Sequence, residues 1–190
     1  MNELDHMPSA AFVIPYSDQV ITIDLTNRQT ALRVDESRLR EAVRVILEEA
    51  SIFEAEVSVA VVDDPTIHEL NRRYLRHDEP TDVLSFLLER SDEGLEGEIV
   101  VSAETATRTA PRYDWSAHDE LLLYVIHGTL HLLGHDDQTS PERAAMQDRE
   151  RAYLARFGLQ PRYEEHETPD PHAGNADPSA RPTPGGSEVP

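Results

Sequence analysis

His127 and His131 stand four residues apart, after a long apolar run, Leu121-Leu122-Leu123-Tyr124-Val125-Ile126. The run reads as a buried helix, and residues four apart on a helix share one face, about 6 Å apart along its axis. Both imidazoles therefore point the same way. Gly134 can take the left-handed conformation that ends a helix, which turns the chain back soon after the second histidine. His135, Asp136 and Asp137 follow on that turn and can approach the pair from the side. Two imidazoles on a helix and a third ligand from the next turn make a three-ligand zinc site with one coordination position open, as a catalytic metal requires. Spacing alone does not make a chelate. A hydrophobic core, however, has no use for this density of ligand-type side chains. Gly128 stands where the metalloprotease pattern carries its glutamate base, so the site suits a metal but not peptide hydrolysis.

Composition limits the rest. The chain has 190 residues, enough for one domain and some excess. It has no cysteine, so any metal is held by histidine and carboxylate. No basic segment followed by an apolar one opens the chain, and no apolar run approaches the length of a membrane span. A soluble, cytoplasmic protein without a membrane partner is expected. The net charge of −20 argues against a broad nucleic-acid surface, because phosphate is neutralised by lysine and arginine. It does not argue against one local basic cleft, and Arg72, Arg73, Arg76 and His77 gather in a single short segment.

Around these two stretches the periodicity predicts strands at 20–25, 57–62, 83–88 and 98–102. It predicts helices over Arg38 to Ala50, capped by Asp35, and over Thr66 to Leu75, with Asp64 before Pro65 as the start signal. Shorter helical stretches are expected at 103–109 and 141–154. The mixture lacks a strict βαβ rhythm, which points to a small mixed β-sheet packed with helices. Residues 1–19 read as irregular. Residues 164–190 hold six of the thirteen prolines and six acidic residues against one arginine, so a disordered acidic tail is expected there. The folded domain is then 20–163.

The segment Leu70-Asn71-x-x-Tyr74 with Asp78-x-Pro80-Thr81-Asp82-Val83-Leu84-Ser85-Phe86 is followed by Gly97-Glu98-Ile99-Val100 and by the histidine motif. In that order these stretches resemble the bacterial YbeY family, rRNA maturation factors that act as metal-dependent endoribonucleases. The resemblance runs over roughly residues 20–157. It implies an α+β fold with a zincin-like metal helix, one zinc ion per chain, and His127 and His131 as the first two ligands. It also implies a single-strand-specific activity at the 3′ end of 16S rRNA and in ribosome quality control. The partners it implies are RNA and the ribosomal subunit, with ribosomal-protein or GTPase partners and no DNA.

Two departures from the family pattern stand out. Its third metal histidine falls on Asp137, with His135 at its usual tyrosine, so Asp137 is the expected third ligand. The arginine considered important for its activity falls on Leu75, with Arg76 next along. RNA cleavage at one metal needs a Lewis acid on a phosphate oxygen, an activated nucleophile and positive charge on the crowded phosphorane. His127, with the other ligands, serves the first two needs. Arg76 is the expected catalytic cation, and Arg72, Arg73 and Arg76 are the expected RNA contacts, because guanidinium offers phosphate a planar fork of donors. A non-catalytic, metal-stabilised ribosome-assembly factor is the main alternative, favoured by Leu75. A metalloprotease is the other, disfavoured by Gly128.

Overall fold

A computed structural model describes residues 20–91 and 94–160. The expected irregular segment 1–19 and the acidic tail 164–190 lie outside the described residues. Alternating, β-branched segments form four strands: β1 (Val20–Asn27), β2 (Glu54–Val62), β3 (Val83–Arg90) and β4 (Leu95–Ser102). Their order across the sheet is β1-β2-β4-β3. β1 pairs parallel to β2 and β2 parallel to β4, while β3 runs antiparallel to β4. The fold is α+β with a small mixed sheet. β4 begins three residues before its expected start, because Leu95 and Gly97 already pair with Ala55 and Val57 of β2.

Side chains alternate between the two faces of the sheet, and both faces are packed. Val57, Val59, Val61, Ile99 and Val101 point into the main core. There they meet Leu39, Val43, Ile46 and Leu47 of α1 (Glu36–Glu49) and Leu122, Val125, Ile126 and Leu130 of α4 (Ala117–Leu132). On the other face, Val62, Leu84 and Val100 pack on Ile67 of α2 (Asp64–Leu70). α3 (Ala103–Thr109) and α5 (Ser140–Arg156) complete the helices and flank α4.

Local chemistry sets the helix starts. Asp35 caps α1 as expected, its carboxylate accepting the Arg38 N–H at 3.1 Å. α2 is capped one residue earlier than expected, by Asp63, which accepts the Thr66 N–H at 3.0 Å. Asp64 is thereby freed to bind across the fold. Its carboxylate accepts from the hydroxyls of Ser102 and Thr105 and from Arg108, tying α2 to the start of α3. The expected helix over Thr66 to Leu75 keeps its α form only to Leu70. Asn71–Leu75 is one wide π-type turn, and Arg76 leaves it in the left-handed conformation, φ 61°. Asn71 is buried there and donates its amide to the Glu79 carbonyl at 2.8 Å, which holds the following loop against the turn.

α4 lies closer to the sheet than side chains would ordinarily allow. A Cβ added at Gly97 would stand 2.8 Å from Leu132 Cδ1. One added at Gly128 would stand 2.8 Å from Ile99 Cγ2, 3.0 Å from Ser85 Oγ and 3.1 Å from Val83 Cγ2. Alanine in place of a helical glycine ordinarily gains about 1 kcal/mol. Forcing an extra methyl into a packed core costs about 1–3 kcal/mol. Here the second effect wins, and Gly128→Ala should lower the melting temperature by roughly 2–8 °C. A rise in thermal unfolding experiments would show that the helix has room to spare.

Candidate metal centre

α4 presents His127 and His131 on one face and then stops. Gly134 is left-handed, φ 87°. Its N–H donates to the His131 carbonyl at 2.9 Å, and the His135 N–H reaches back to the Leu130 carbonyl at 3.1 Å. This pair of bonds is the glycine-terminated helix end in which two orphan carbonyls are satisfied at once. It brings Asp137 back over the histidines.

The ligand atoms converge. His127 Nε2 lies 2.9 Å from His131 Nε2. Asp137 Oδ2 is 3.8 Å from His127 Nε2, and Asp137 Oδ1 is 3.9 Å from His131 Nε2. One atom from each residue falls within a 4.8 Å cluster, the one such cluster among the described residues. Tetrahedral zinc with bonds of about 2.0–2.1 Å spaces its ligand atoms roughly 3.3 Å apart. The observed separations bracket that value, and a carboxylate and two imidazoles are a suitable donor set. The residues fit a metal ion.

Glu150 of α5 sets which nitrogen faces the cluster. Its carboxylate lies 2.6 Å from His127 Nδ1. A carboxylate only accepts, so the Nδ1 proton is donated to it and Nε2 keeps its lone pair. Burial opposes a charge on His127, but the Glu150 hydrogen bond and charge outweigh it and raise the pKa above the ordinary histidine value. His131 is shifted the other way, by burial and then by His127. Burial and then Arg149 lower His135.

Two cavities flank the cluster, and both are bordered by Thr81, Asp82, His127 and Asp137. One lies towards β3, where Leu75, Ser85, His131 and His135 also line it. The other lies towards α3 and α5, between Arg108 and Arg143. Ser85 Oγ, at the β3 side, is buried and has no hydrogen-bond partner among the described residues.

The expected site residues are thus divided. His127, His131 and Asp137 come together, and His135 stands beside them outside the cluster. Arg72, Arg73 and Arg76 are exposed and line neither cavity. Arg72 pairs with Glu69, and Arg73 lies over the Tyr74 ring, 5.4 Å from its centroid. Leu75 borders the β3-side cavity. Sequence reasoning missed Glu150 and Arg143. Glu150 had left a signal: it sits midway between Met146 and Leu154 at four-residue spacing, a carboxylate on an apolar stripe.

Fold and cluster together define an α+β protein with a candidate metal site carried on one helix and the turn that ends it. The family model for Endoribonuclease YbeY matches residues 24–158. A protein named Endoribonuclease YbeY from Moorella thermoacetica is 42% identical over 150 residues, 71% of this chain and 96% of its own. The one from Syntrophotalea carbinolica is 36% identical over 142 residues, 71% of this chain and 95% of its own. Another, from Rhodopirellula baltica, is 50% identical over 106 residues, a match that spans only 55% of each chain. A Thermotoga maritima protein of known solution structure is 32% identical, covering 71% of this chain and 87% of its own at a TM-score of 0.47. The chain belongs to the YbeY endoribonuclease family.

Ligand assignment is open to direct test. Asp137→Ala should lose most bound metal, while His135→Ala and His135→Tyr should retain it, as read by elemental analysis of the purified variants. A full Asp137→Ala site beside an empty His135→Tyr site reverses the assignment.

Glu150 calls for a different measurement. Removing a carboxylate that orients a metal-binding histidine typically costs about 10–100-fold in metal affinity. Glu150→Ala should therefore weaken metal binding by that factor. Glu150→Gln can still accept from Nδ1, so its loss should be smaller. Without the glutamate charge His127 also holds its proton less tightly, so in metal-free Glu150→Gln its imidazole should titrate at lower pH than in the unmodified protein. An unshifted His127 midpoint in an NMR pH titration would mean that Glu150 does not act on His127.

Proposed function

We propose that this chain is a metal-dependent endoribonuclease that cleaves single-stranded RNA, with ribosomal RNA, at the 3′ end of the 16S molecule, as its substrate. The convergence of His127, His131 and Asp137 within 4.8 Å carries the reading, in a chain whose relatives are named as endoribonucleases. These three residues are the proposed ligands, and zinc is the proposed ion, because imidazole and carboxylate in a three-residue open site suit it. A metal ion held there supplies Lewis-acid polarisation of a phosphate oxygen. Glu150 keeps His127 in the tautomer that ligation requires. Arg72, Arg73 and Arg76 are assigned to the RNA backbone. Arg76 is also assigned to charge stabilisation at the reacting phosphate, as the arginine next to Leu75. The proposed setting is the cytoplasm, on the ribosomal subunit, with ribosomal-protein or GTPase partners. The catalytic domain is taken as 20–163, between the segment 1–19 and the acidic tail.

Leu75 at the cavity border is the observation that favours the other reading, a metal-stabilised assembly factor without catalysis. A protease is disfavoured on steric grounds as well as chemical ones. Gly128, where its base would stand, has no space even for a methyl group.

Cleavage of a labelled single-stranded RNA by the metal-loaded protein separates these readings. We expect cleavage that a chelator abolishes and that His127→Ala reduces by at least about a hundredfold, with casein untouched. Activity that does not follow the mutation belongs to a contaminant and would leave the assembly-factor reading standing. Arg72→Ala with Arg76→Ala should flatten the slope of log affinity against log salt by about 1.4, from two fewer phosphate contacts on a single strand. Arg76→Ala alone should also lower turnover about tenfold or more. A pure KM effect would confine Arg76 to binding and leave Arg108 and Arg143, which line the adjoining cavity, as candidates for the cation.

A further inference from the structure

The cavity on the α3 and α5 side of the cluster is larger than three metal ligands explain. It encloses about 620 Å³, inside the range of roughly 300–1,000 Å³ usual for small-molecule sites. Half-buried Tyr113 and Trp115 form one wall, Gln147 and Met146 of α5 another, and Glu120 and Tyr124 of α4 lie between them. His127 and Asp137 border it, so it opens directly onto the metal cluster.

Charge determines what can enter. Five carboxyl groups, Glu79, Asp82 and Glu120 among them, line it against Arg108 and Arg143. Arg108 is already paired with Asp64 at 2.6 Å. A phosphate would meet a negative field there, whereas N–H donors would be welcomed. Glu120 has the greatest need of them. It is 4% exposed and pairs with no cation among the described residues. Its hydrogen-bond partner is the Tyr124 hydroxyl, and burial pushes its carboxyl up. A carboxylate has about four acceptor sites, more than one hydroxyl fills, and a buried one is stabilised by each further donor that reaches it.

We infer that this cavity is a base-binding subsite that takes one unpaired guanine of the RNA strand whose phosphate lies at the metal cluster, with Trp115 stacked on the base and Glu120 accepting from its N1–H and N2–H groups. The inference rests on the ribonuclease reading. Guanine offers two adjacent N–H donors on its pairing edge, which match the two oxygens of one carboxylate. Adenine and cytosine present an amino group beside a ring nitrogen that only accepts, and the carboxylate repels it. Uracil has one N–H between two carbonyls. Stacking on aromatic side chains with hydrogen bonds to the pairing edge is how proteins hold unpaired RNA bases.

Trp115 is the one tryptophan in the chain, so its fluorescence reports on the proposed stack. The four nucleoside 5′-monophosphates and inosine 5′-monophosphate are titrated into the full-length, metal-loaded protein. Guanosine monophosphate should quench with a dissociation constant at least about tenfold below those of the adenosine, cytidine and uridine compounds. Inosine monophosphate, lacking the 2-amino group, should lose most of that advantage. Glu120→Gln should bring guanosine monophosphate to the level of the others and leave uridine monophosphate unchanged. If that variant does not fold, the ranking on the unmodified protein decides alone. Equal constants for all four nucleotides, or no quenching at millimolar concentration, overturns the subsite. RNA cleavage assayed on the same preparation keeps the two ideas apart. Cleavage without a nucleotide ranking overturns the subsite and spares the ribonuclease reading. A guanine ranking without cleavage upholds the guanine site and overturns the ribonuclease reading.

Discussion

The close seat of α4 on the sheet is the constraint on which the rest of this structure depends. Gly97 and Gly128 remove the side chains that would hold helix and strands apart, and Leu132, Ile99, Ser85 and Val83 fill the space they vacate. The helix is thereby fixed in rotation and height. Its buried positions face the core, and His127 and His131 emerge at its edge between β3 and α5. A ligand pair on a helix free to roll would not hold a metal geometry, since sites must be kept to fractions of an ångström.

Around that seat, α5, the turn after Gly134 and the loop before β3 bring polar groups to the histidines. α5 brings Glu150 to His127 Nδ1. The turn after Gly134 brings Asp137 to both Nε2 atoms. The loop before β3 brings Thr81 and Asp82 to the rim, held by Asp82 accepting the Val83 N–H at 3.0 Å and by the Ser102 N–H on the Asp82 carbonyl at 2.9 Å. Negative charge therefore concentrates beside the metal cluster. It favours a bound cation and disfavours bare phosphate.

Much was legible in the chain itself. The histidine spacing, the terminating glycine and the ligand-rich turn are local facts, readable because helix geometry fixes what residues four apart can do. The strands and the caps follow from alternation and from Asp35 in the same way. Errors fell where a local signal had two readings. Two aspartates precede Pro65, and the one that caps the helix is Asp63, because Asp64 finds better partners in Ser102, Thr105 and Arg108. The helix over Thr66 to Leu75 widened at Asn71, whose amide was claimed by a loop carbonyl eight residues on.

By itself the sequence determined the histidine-bearing helix, the mixed sheet and the family, because these rest on periodicity and on motifs in order along the chain. Tertiary structure alone decided which groups meet across the chain. Glu150 reaches His127 from 23 residues away, and Glu120 faces a cavity walled by three separate elements. Arg76, adjacent in sequence to Leu75, leaves its turn with φ 61° and stays on the surface, while Leu75 borders the cavity on the β3 side. Neighbours in sequence part at such a turn, and residues far apart join only where packing brings their helices together. The reason is physical: side-chain direction depends on backbone dihedrals and on the contacts that hold them, and neither is written in residue order.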